Sequence, residues 1–299
     1  MILAKLAPVM AMPSGITLEY QTQQGSLFQG DSLLWLPTLA AASVDLVFAD
    51  PPYNLNKAEW DSFQSQQQYV DWSIAWIAAV ARILKPSGSL YIMGFSEILA
   101  DLKLPAMKYF SQCRWLIWHY KNKANLGNDW GRSHESILVL RKTAGAKMHL
   151  DRVRIPYGNH TLKYPDHPQA VTSQYHNGKS RSAWTPHPQG AKPKDVIEIP
   201  TTCNGMAEKT RHPTQKPEEL LRTLVFAASD RGDLVLDPFS GSGTTLVVAE
   251  QSGRRWLGCE LNPTYNQWAV QRLQTTPQRS DEEWIDLDRK SALRRRKIR

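Results

Sequence analysis

The chain has 299 residues, 41% hydrophobic and 21% charged, with a formal net charge of +8. This is ordinary globular composition with length enough for a sizeable core, and no apolar run approaches the ~20 residues that would span a bilayer. Three scattered cysteines, Cys113, Cys203 and Cys259, form no C-x-x-C pair, which argues against a zinc site and for a reduced, cytoplasmic setting.

The opening "MILAKLAPVMAMPSG" is apolar and short, and reads as a frayed or docking arm, not a signal peptide. "SLFQGD" and "SVDLVFAD" read as short strands. "QQYVDWSIAWIAAVARILK" carries apolar residues at three- and four-residue spacing and predicts a helix, with "PSG" as its stop. "SLYIMG" and "CRWLIWHYK" follow as strands. After the middle of the chain, "KPEELLRTLVFAAS" predicts a helix, "DLVLD" a strand, "GTTLVVAEQSG" a helix, "RWLGCEL" a strand and "PTYNQWAVQRLQ" a helix. Strands alternating with helices imply an α/β fold with a mostly parallel sheet and helices on both faces.

Residues 120–211 are different. They are rich in Pro, His, Asn, Gly and Lys, with little apolar periodicity beyond "SHESILVLRK". Long loops are expected there, and a stretch of this kind is either functional or disordered. Residues 120–199 hold 13 Lys/Arg against 6 Asp/Glu, and "RKSALRRRKIR" at the end carries seven basic residues in eleven. A polyanion such as nucleic acid suits that charge, and a solvated basic surface would look the same. Residues 276–299 are expected to be a poorly ordered tail, with Arg294 to Arg296 adding salt-sensitive attraction to nucleic acid.

Two motifs end strands in the same way. "VDLVFAD" runs into "DPPY" (Asp50 to Tyr53), and "GDLVLD" into "PFSGSGTT". In an open parallel sheet, ligands bind beyond the carboxyl ends of the strands, so both motifs should meet at one edge. Gly241 and Gly243 permit a tight turn, and the helix after them offers free N–H groups. No Lys follows the glycines, and Leu246 stands where a third dinucleotide-type Gly would be, so neither phosphate-loop pattern fits. Glu260 ends the next strand, where a ribose is held in nucleotide-binding sheets; Asn262 could equally cap the next helix. "DPP" gathers a carboxylate and unpaired carbonyls, a set of acceptors suited to an exocyclic amine. Tyr53 adds a face for stacking.

These motifs resemble the S-adenosylmethionine-dependent amino methyltransferases that act on DNA. "DPPY" resembles their catalytic signature, "DPFSGSGTT" their cofactor loop, and "HPTQKP" (His212 to Pro217) the segment leading into the cofactor-side helix. Catalytic motif, variable region, then cofactor loop is the circularly permuted order of the β class. The resemblance implies a Rossmann-like methyltransferase fold, S-adenosyl-L-methionine as cofactor and double-stranded DNA as partner. It divides the chain into a catalytic half at 26–119, a target-recognition region at 120–205, a cofactor half at 206–275 and the basic tail. Asp50 and the Pro51 carbonyl would accept hydrogen bonds from the amine, with Pro52 in the same motif and Tyr53 stacked on a flipped base. Phe239, Gly241 and Gly243 would wrap the cofactor, with Thr214, Lys216, Thr244 and Thr245 near its carboxylate. Glu260 would take the ribose hydroxyls and Asp31 the adenine, with Asp237 and Asn262 beside them. Lys121, Asn122, Lys123, Asn125 and Arg132 become candidate base readers, with His134 and Glu135 as further DNA contacts. No metal is required.

Cytosine C5 chemistry would need a cysteine beside a proline, and the three cysteines follow Gln, Thr and Gly. That leaves adenine N6 or cytosine N4, and within the family "DPPY" leans to adenine. Two readings outside this one are a non-catalytic nucleic-acid-binding module and a methyltransferase for amines of RNA or protein. A homodimer and a cognate restriction endonuclease are partners that the residues leave open.

Overall fold

The computed structural model describes residues 12–54, 63–120, 128, 130–163 and 185–297. A single nine-stranded sheet runs through them. Its strands are β1 (Thr17–Gln21), β2 (Gly25–Gln29), β3 (Val44–Ala49), β4 (Leu84–Gly94), β5 (Gln112–His119), β6 (His134–Arg141), β7 (Val196–Glu198), β8 (Leu234–Asp237) and β9 (Arg255–Glu260). The spatial order is β1-β2-β9-β8-β3-β4-β6-β5-β7. Strands β2, β9, β8, β3 and β4 are mutually parallel, while β1 and β6 run against their neighbours.

All six residues of β3 are buried, as a strand covered on both faces requires. Val47 and Ala49 pack with Trp76, Ile77 and Leu99 on one face, and Leu46 and Phe48 with Leu220, Val225 and Val247 on the other. The first face is covered by α1 (Ser32–Trp35), α2 (Gln66–Ile83) and α3 (Ser96–Ala106). The second is covered by α5 (Glu218–Ala228), α6 (Thr244–Gln251) and α7 (Pro263–Thr275); a short α4 (Asn159–Lys163) lies between β6 and β7.

Several expectations need correction. "PSG" does not stop α2 before a turn. Leu84 passes directly from the helix into β4, which contains Pro86 to Gly88 and a register irregularity against β3. The variable region supplies β6 and β7 to the same sheet, and β6 inserts between β4 and β5. The expected disordered tail is a helix, α8 (Asp281–Lys297). Fully buried Arg254 forks onto Asp281, Arg222 onto Asp288 at 2.7 and 2.9 Å, and Arg295 onto Glu219 at 2.6 and 2.8 Å. Trp284 of this helix is buried as well. Arg295 thus pairs with a carboxylate within the protein, Arg294 is exposed, and the side chain of Arg296 lies outside the described residues.

Strand order explains where a site must lie. From β3 the chain crosses by α2 to β4 on one side; from β8 it crosses by α6 to β9 on the other. The switch point falls between β3 and β8, whose carboxyl ends carry Asp50 and Asp237. A crevice opens where the connections diverge.

Candidate active site

A cavity of about 260 Å³ opens at that switch point. Its lining joins the two motifs: Asp50, Pro51, Pro52 and Tyr53 from the β3 end, and Asp237, Phe239, Gly241, Thr244 and Thr245 from the β8 end. Asp31, Thr214, Lys216 and Glu260 of the expected set line it as well, whereas Gly243 and Asn262 do not. The expectation that both sequence-distant motifs share one sheet edge is thus met.

On the β3 side the groups form a closed network. The Tyr53 hydroxyl donates to Asp50 Oδ1 at 2.6 Å and lies 3.2 Å from a Glu135 carboxylate oxygen. Lys216 Nζ donates to Asp50 Oδ2 at 2.6 Å and lies 3.4 Å from Glu135. Burial pushes the Asp50 carboxyl up; the Lys216 ammonium opposes this and Glu135 adds to it, leaving Asp50 above its ordinary range. Burial disfavours the Lys216 ammonium, but Asp50 and Glu135 more than offset this and hold it above its ordinary value. Burial and the two carboxylates raise Tyr53 well above a free phenol, so it stays a donor. The Pro52 carbonyl accepts from Tyr69 at 2.9 Å, which fixes the loop. Pro51 lines the cavity beside Asp50.

The β8 side is built differently. Asp237 accepts from the Thr245 hydroxyl at 2.5 Å and from the Phe239 amide at 3.0 Å. Glu260 accepts from the Gly241 and Asn262 amides at 2.7 and 2.8 Å. Among the described residues neither carboxylate has a cationic partner. Burial, helped by Asp50 and Glu260, pushes Asp237 up to about 7 despite its hydrogen bonds, and burial raises Glu260 also. Gly241 sits at φ +51°, and a Cβ there would lie 3.0 Å from His212 Nε2. Burial and nearby cations push His212 down to about 4, so the ring is neutral. It packs edge-on against Tyr265 at the cavity wall.

Some expected residues have other places. Gly243 is not on the cavity. Its φ of +76° starts α6, and an added Cβ would meet Ala269 of α7 at 2.7 Å. Asn262 also lies off the cavity and caps α7, accepting from the Thr264 amide at 2.9 Å. Asp31 caps α1 through the Leu33 amide at 2.8 Å while lining the rim. Thr244 donates to the Lys216 carbonyl at 3.2 Å and so holds that segment. Arg132 is engaged with protein: its guanidinium lies 3.6 Å over Phe95 and pairs with Glu97 at 2.8 Å. His134 Nε2 is 3.4 Å from the Ser96 hydroxyl. Lys121, Asn122, Lys123 and Asn125 lie outside the described residues. The cavity wall also includes Trp72 and Tyr265, which no motif had flagged.

The N6/N4 methyltransferase family, described as DNA methylase, matches residues 44–271, which contain both cavity-lining motifs. The chain belongs to this family. A DNA methyltransferase thus presents the cavity just described. The chain is 32% identical over 268 residues to the DNA adenine methyltransferase YhdJ of Escherichia coli, covering 86% of this chain and 85% of that protein. It is 33% identical to the type II methyltransferase M1.MboII of Moraxella bovis, covering 75% and 86%. A protein of Thermus thermophilus described as a DNA modification methylase, solved with S-adenosyl-L-methionine, superposes with TM-score 0.55 at 27% identity, covering 83% and 93%. The PvuII DNA methyltransferase, cytosine-N4-specific, superposes with TM-score 0.64 at 20% identity over 91% and 93%, a likeness of fold. Among the described residues no helix is long and apolar enough to cross a membrane, and no cluster of ligands suits a metal ion.

Proposed function

We propose that this methyltransferase moves a methyl group from S-adenosyl-L-methionine to the N6 amine of an adenine flipped out of double-stranded DNA, and that it is of the permuted β class. The observation that carries this reading is the single cavity shared by an amine-accepting end and a cation-accepting end. Asp50, Asp237 and Glu260 line it together, and carboxyls raised by burial favour a ligand that brings positive charge. The Gly241 cradle, with φ +51° and His212 only 3.0 Å from where a Cβ would stand, disfavours a side chain and suits close approach of a ligand to backbone. Asp31, Asp237, Phe239, Gly241 and Glu260 would hold the cofactor, with Thr214 at the rim. The bound cofactor supplies an activated sulfonium methyl.

The chain's own part is positioning. An aromatic amine is a weak nucleophile because its lone pair is spread into the ring. Asp50 accepts a hydrogen bond from one amine hydrogen and the Pro51 carbonyl from the other, which pulls the nitrogen towards a tetrahedral shape and localises the pair; the methylated amine then sheds one proton to water. The barrier then falls through orientation and fixed charge. The Tyr53 ring gives the base a face, and the target amine must leave the duplex to reach it. Adenine is favoured by "DPPY" and by the relative named an adenine methyltransferase. The relative named a type II methyltransferase supports a place in restriction-modification beside a cognate endonuclease. The test is to incubate protein with methyl-labelled cofactor and unmethylated genomic DNA, then identify the labelled nucleoside by mass spectrometry. N6-methyladenine is expected. N4-methylcytosine would overturn the base assignment, and label in neither would overturn the reaction.

A further inference from the structure

The catalytic signature and the cofactor loop do not account for two charges of the network: Lys216, which lines the cavity, and Glu135, which the lining does not include. Lys216 and Glu135 are nearly fully buried, with 6% and 8% of their side chains exposed. They come from elements remote in sequence from Asp50 and from each other. Lys216 lies near the end of the "HPTQKP" segment, and Glu135 is the second residue of β6, opposite Trp118 of β5.

We infer that Lys216 and Glu135 are positioning residues of the catalytic centre: the buried Lys216 ammonium keeps the Asp50 carboxylate ionised, and Glu135 holds that ammonium and the Tyr53 hydroxyl in place. The inference rests on the reading that Asp50 accepts the target amine. An acceptor in that role must be a carboxylate, because a protonated acid would present a donor on one oxygen. Two carboxylates this close in a buried site cannot both stay charged unless a cation lies between them. Lys216 is that cation: its ammonium is 2.6 Å from Asp50, 3.4 Å from Glu135 and 5.6 Å from the centroid of the Tyr53 ring.

Both partners are anchored. Lys216 Nζ also donates to the Thr214 carbonyl at 3.2 Å, and its own carbonyl is held by Thr244. Glu135 lies in a strand paired on both sides. Among the described residues the titratable groups facing Asp50 are Tyr53 from its own loop, Lys216 from the 212–217 segment with His212 behind it, Glu135 from β6 and Asp237 from β8. Of these only Lys216 carries positive charge, since His212 is neutral. The resemblance would put Lys216 at the cofactor carboxylate, yet that would require its ammonium to leave two buried acids unpaired, which costs more than the new contact returns.

The two variants K216M and E135Q should act with opposite sign. K216M removes the cation and leaves Asp50 beside Glu135, so Asp50 titrates at higher pH. E135Q removes the competing anion and gives Lys216 to Asp50 alone, so Asp50 titrates at lower pH. A merely structural pair would lower activity without moving either titration. The experiment labels aspartate carboxyls with carbon-13, assigns Asp50 by its loss in D50N, and follows its chemical shift with pH in the cofactor-free protein. Single-turnover methyl transfer is measured over the same pH range, and cofactor affinity by titration calorimetry. We expect K216M to raise the Asp50 midpoint by about one pH unit or more. The acid limb of the methylation rate should move with it, and the rate at neutral pH should fall about a hundredfold. Cofactor Kd should change less than about threefold, and K216R should restore most of the rate. An unmoved Asp50 midpoint in K216M and E135Q overturns the inference. So does a cofactor Kd raised in K216M with an unmoved profile, which would return Lys216 to the cofactor. Should K216M not fold, E135Q and K216R carry the test through the sign of their shifts. If the wild type transfers no methyl, the reading of Asp50 as amine acceptor fails, while the carboxyl titration still decides the role of Lys216.

Discussion

The carboxyl ends of β3 and β8 lie side by side at the switch point, and each carries an aspartate. Their surroundings differ. Asp50 is met by an ammonium group at 2.6 Å, whereas Asp237 is met only by a hydroxyl and an amide among the described residues. The first acid is compensated before any ligand arrives. The second sits near pH 7 and is neutralised either by a proton or by an incoming cation. One end is thus ready to accept hydrogen bonds from a neutral amine, and the other to receive positive charge. Two copies of the same strand–acid pattern acquire different chemistry from what packs against them.

The largest effect should come from the β3 end. If Asp50 accepts the target amine as proposed, Asp50→Ala removes an acceptor that acts on the reacting nitrogen, and methyl transfer should fall about a thousandfold or more. Cofactor affinity, measured by calorimetry, should stay within a few-fold; an equal loss of both would erase the distinction between the two ends.

The pH dependence of cofactor binding sharpens it from the other side. In the cofactor-free protein Asp237 holds its proton up to about 7, above the range of an unfolded carboxylate. Stability of the free protein from this group is therefore greatest at low pH and is lost as pH rises towards 7. On the proposed reading a cofactor that brings positive charge favours the ionised form, so affinity should weaken about tenfold per pH unit at most as pH falls below 7, with proton release on binding near neutrality. Calorimetry in buffers of different ionisation heat reads that proton directly, and Asp237→Asn should abolish it.

Gly241→Ala should follow with a smaller loss. The φ of +51° strains any L side chain, and a Cβ 3.0 Å from the His212 ring makes that ring give way slightly, so cofactor affinity should fall several-fold to about tenfold, from roughly 1 kcal/mol of backbone strain. The smallest effect is expected at Asn262→Ala. Loss of the α7 cap should cost about 1 kcal/mol in denaturant unfolding, with little change in cofactor affinity because Asn262 lies off the cavity.

Much of this arrangement was legible in the sequence because it rests on local signals. Strands β3 and β8 announce themselves as apolar runs ending in Asp-Pro, and α2 by its spacing. What escaped was set by tertiary pairing. β6 looked like an isolated apolar run because its partners, β4 and β5, surround it only in space. α8 looked like a solvated basic tail because its arginines and lysines gather in its second half, yet two of the acids in its first half, Asp281 and Asp288, find Arg254 and Arg222. Gly243 and Asn262 sat in motifs where ligand contact and helix-start chemistry look alike; the fold assigns them to the latter geometry. Glu135 carried a usable signal, a lone acid near the head of an otherwise apolar strand, but its partners Tyr53 and Lys216 come from motifs far away in the chain on either side.

The most direct test of the division across the switch point is a crossed one. Cofactor Kd and the single-turnover methylation rate at saturating cofactor are measured for D50N and D237N together. D50N should lose rate and keep affinity, while D237N should lose affinity and its pH dependence but recover rate when saturated. Equal losses of affinity and rate in both variants would contradict the division, and would mean that the two aspartates serve one undivided site.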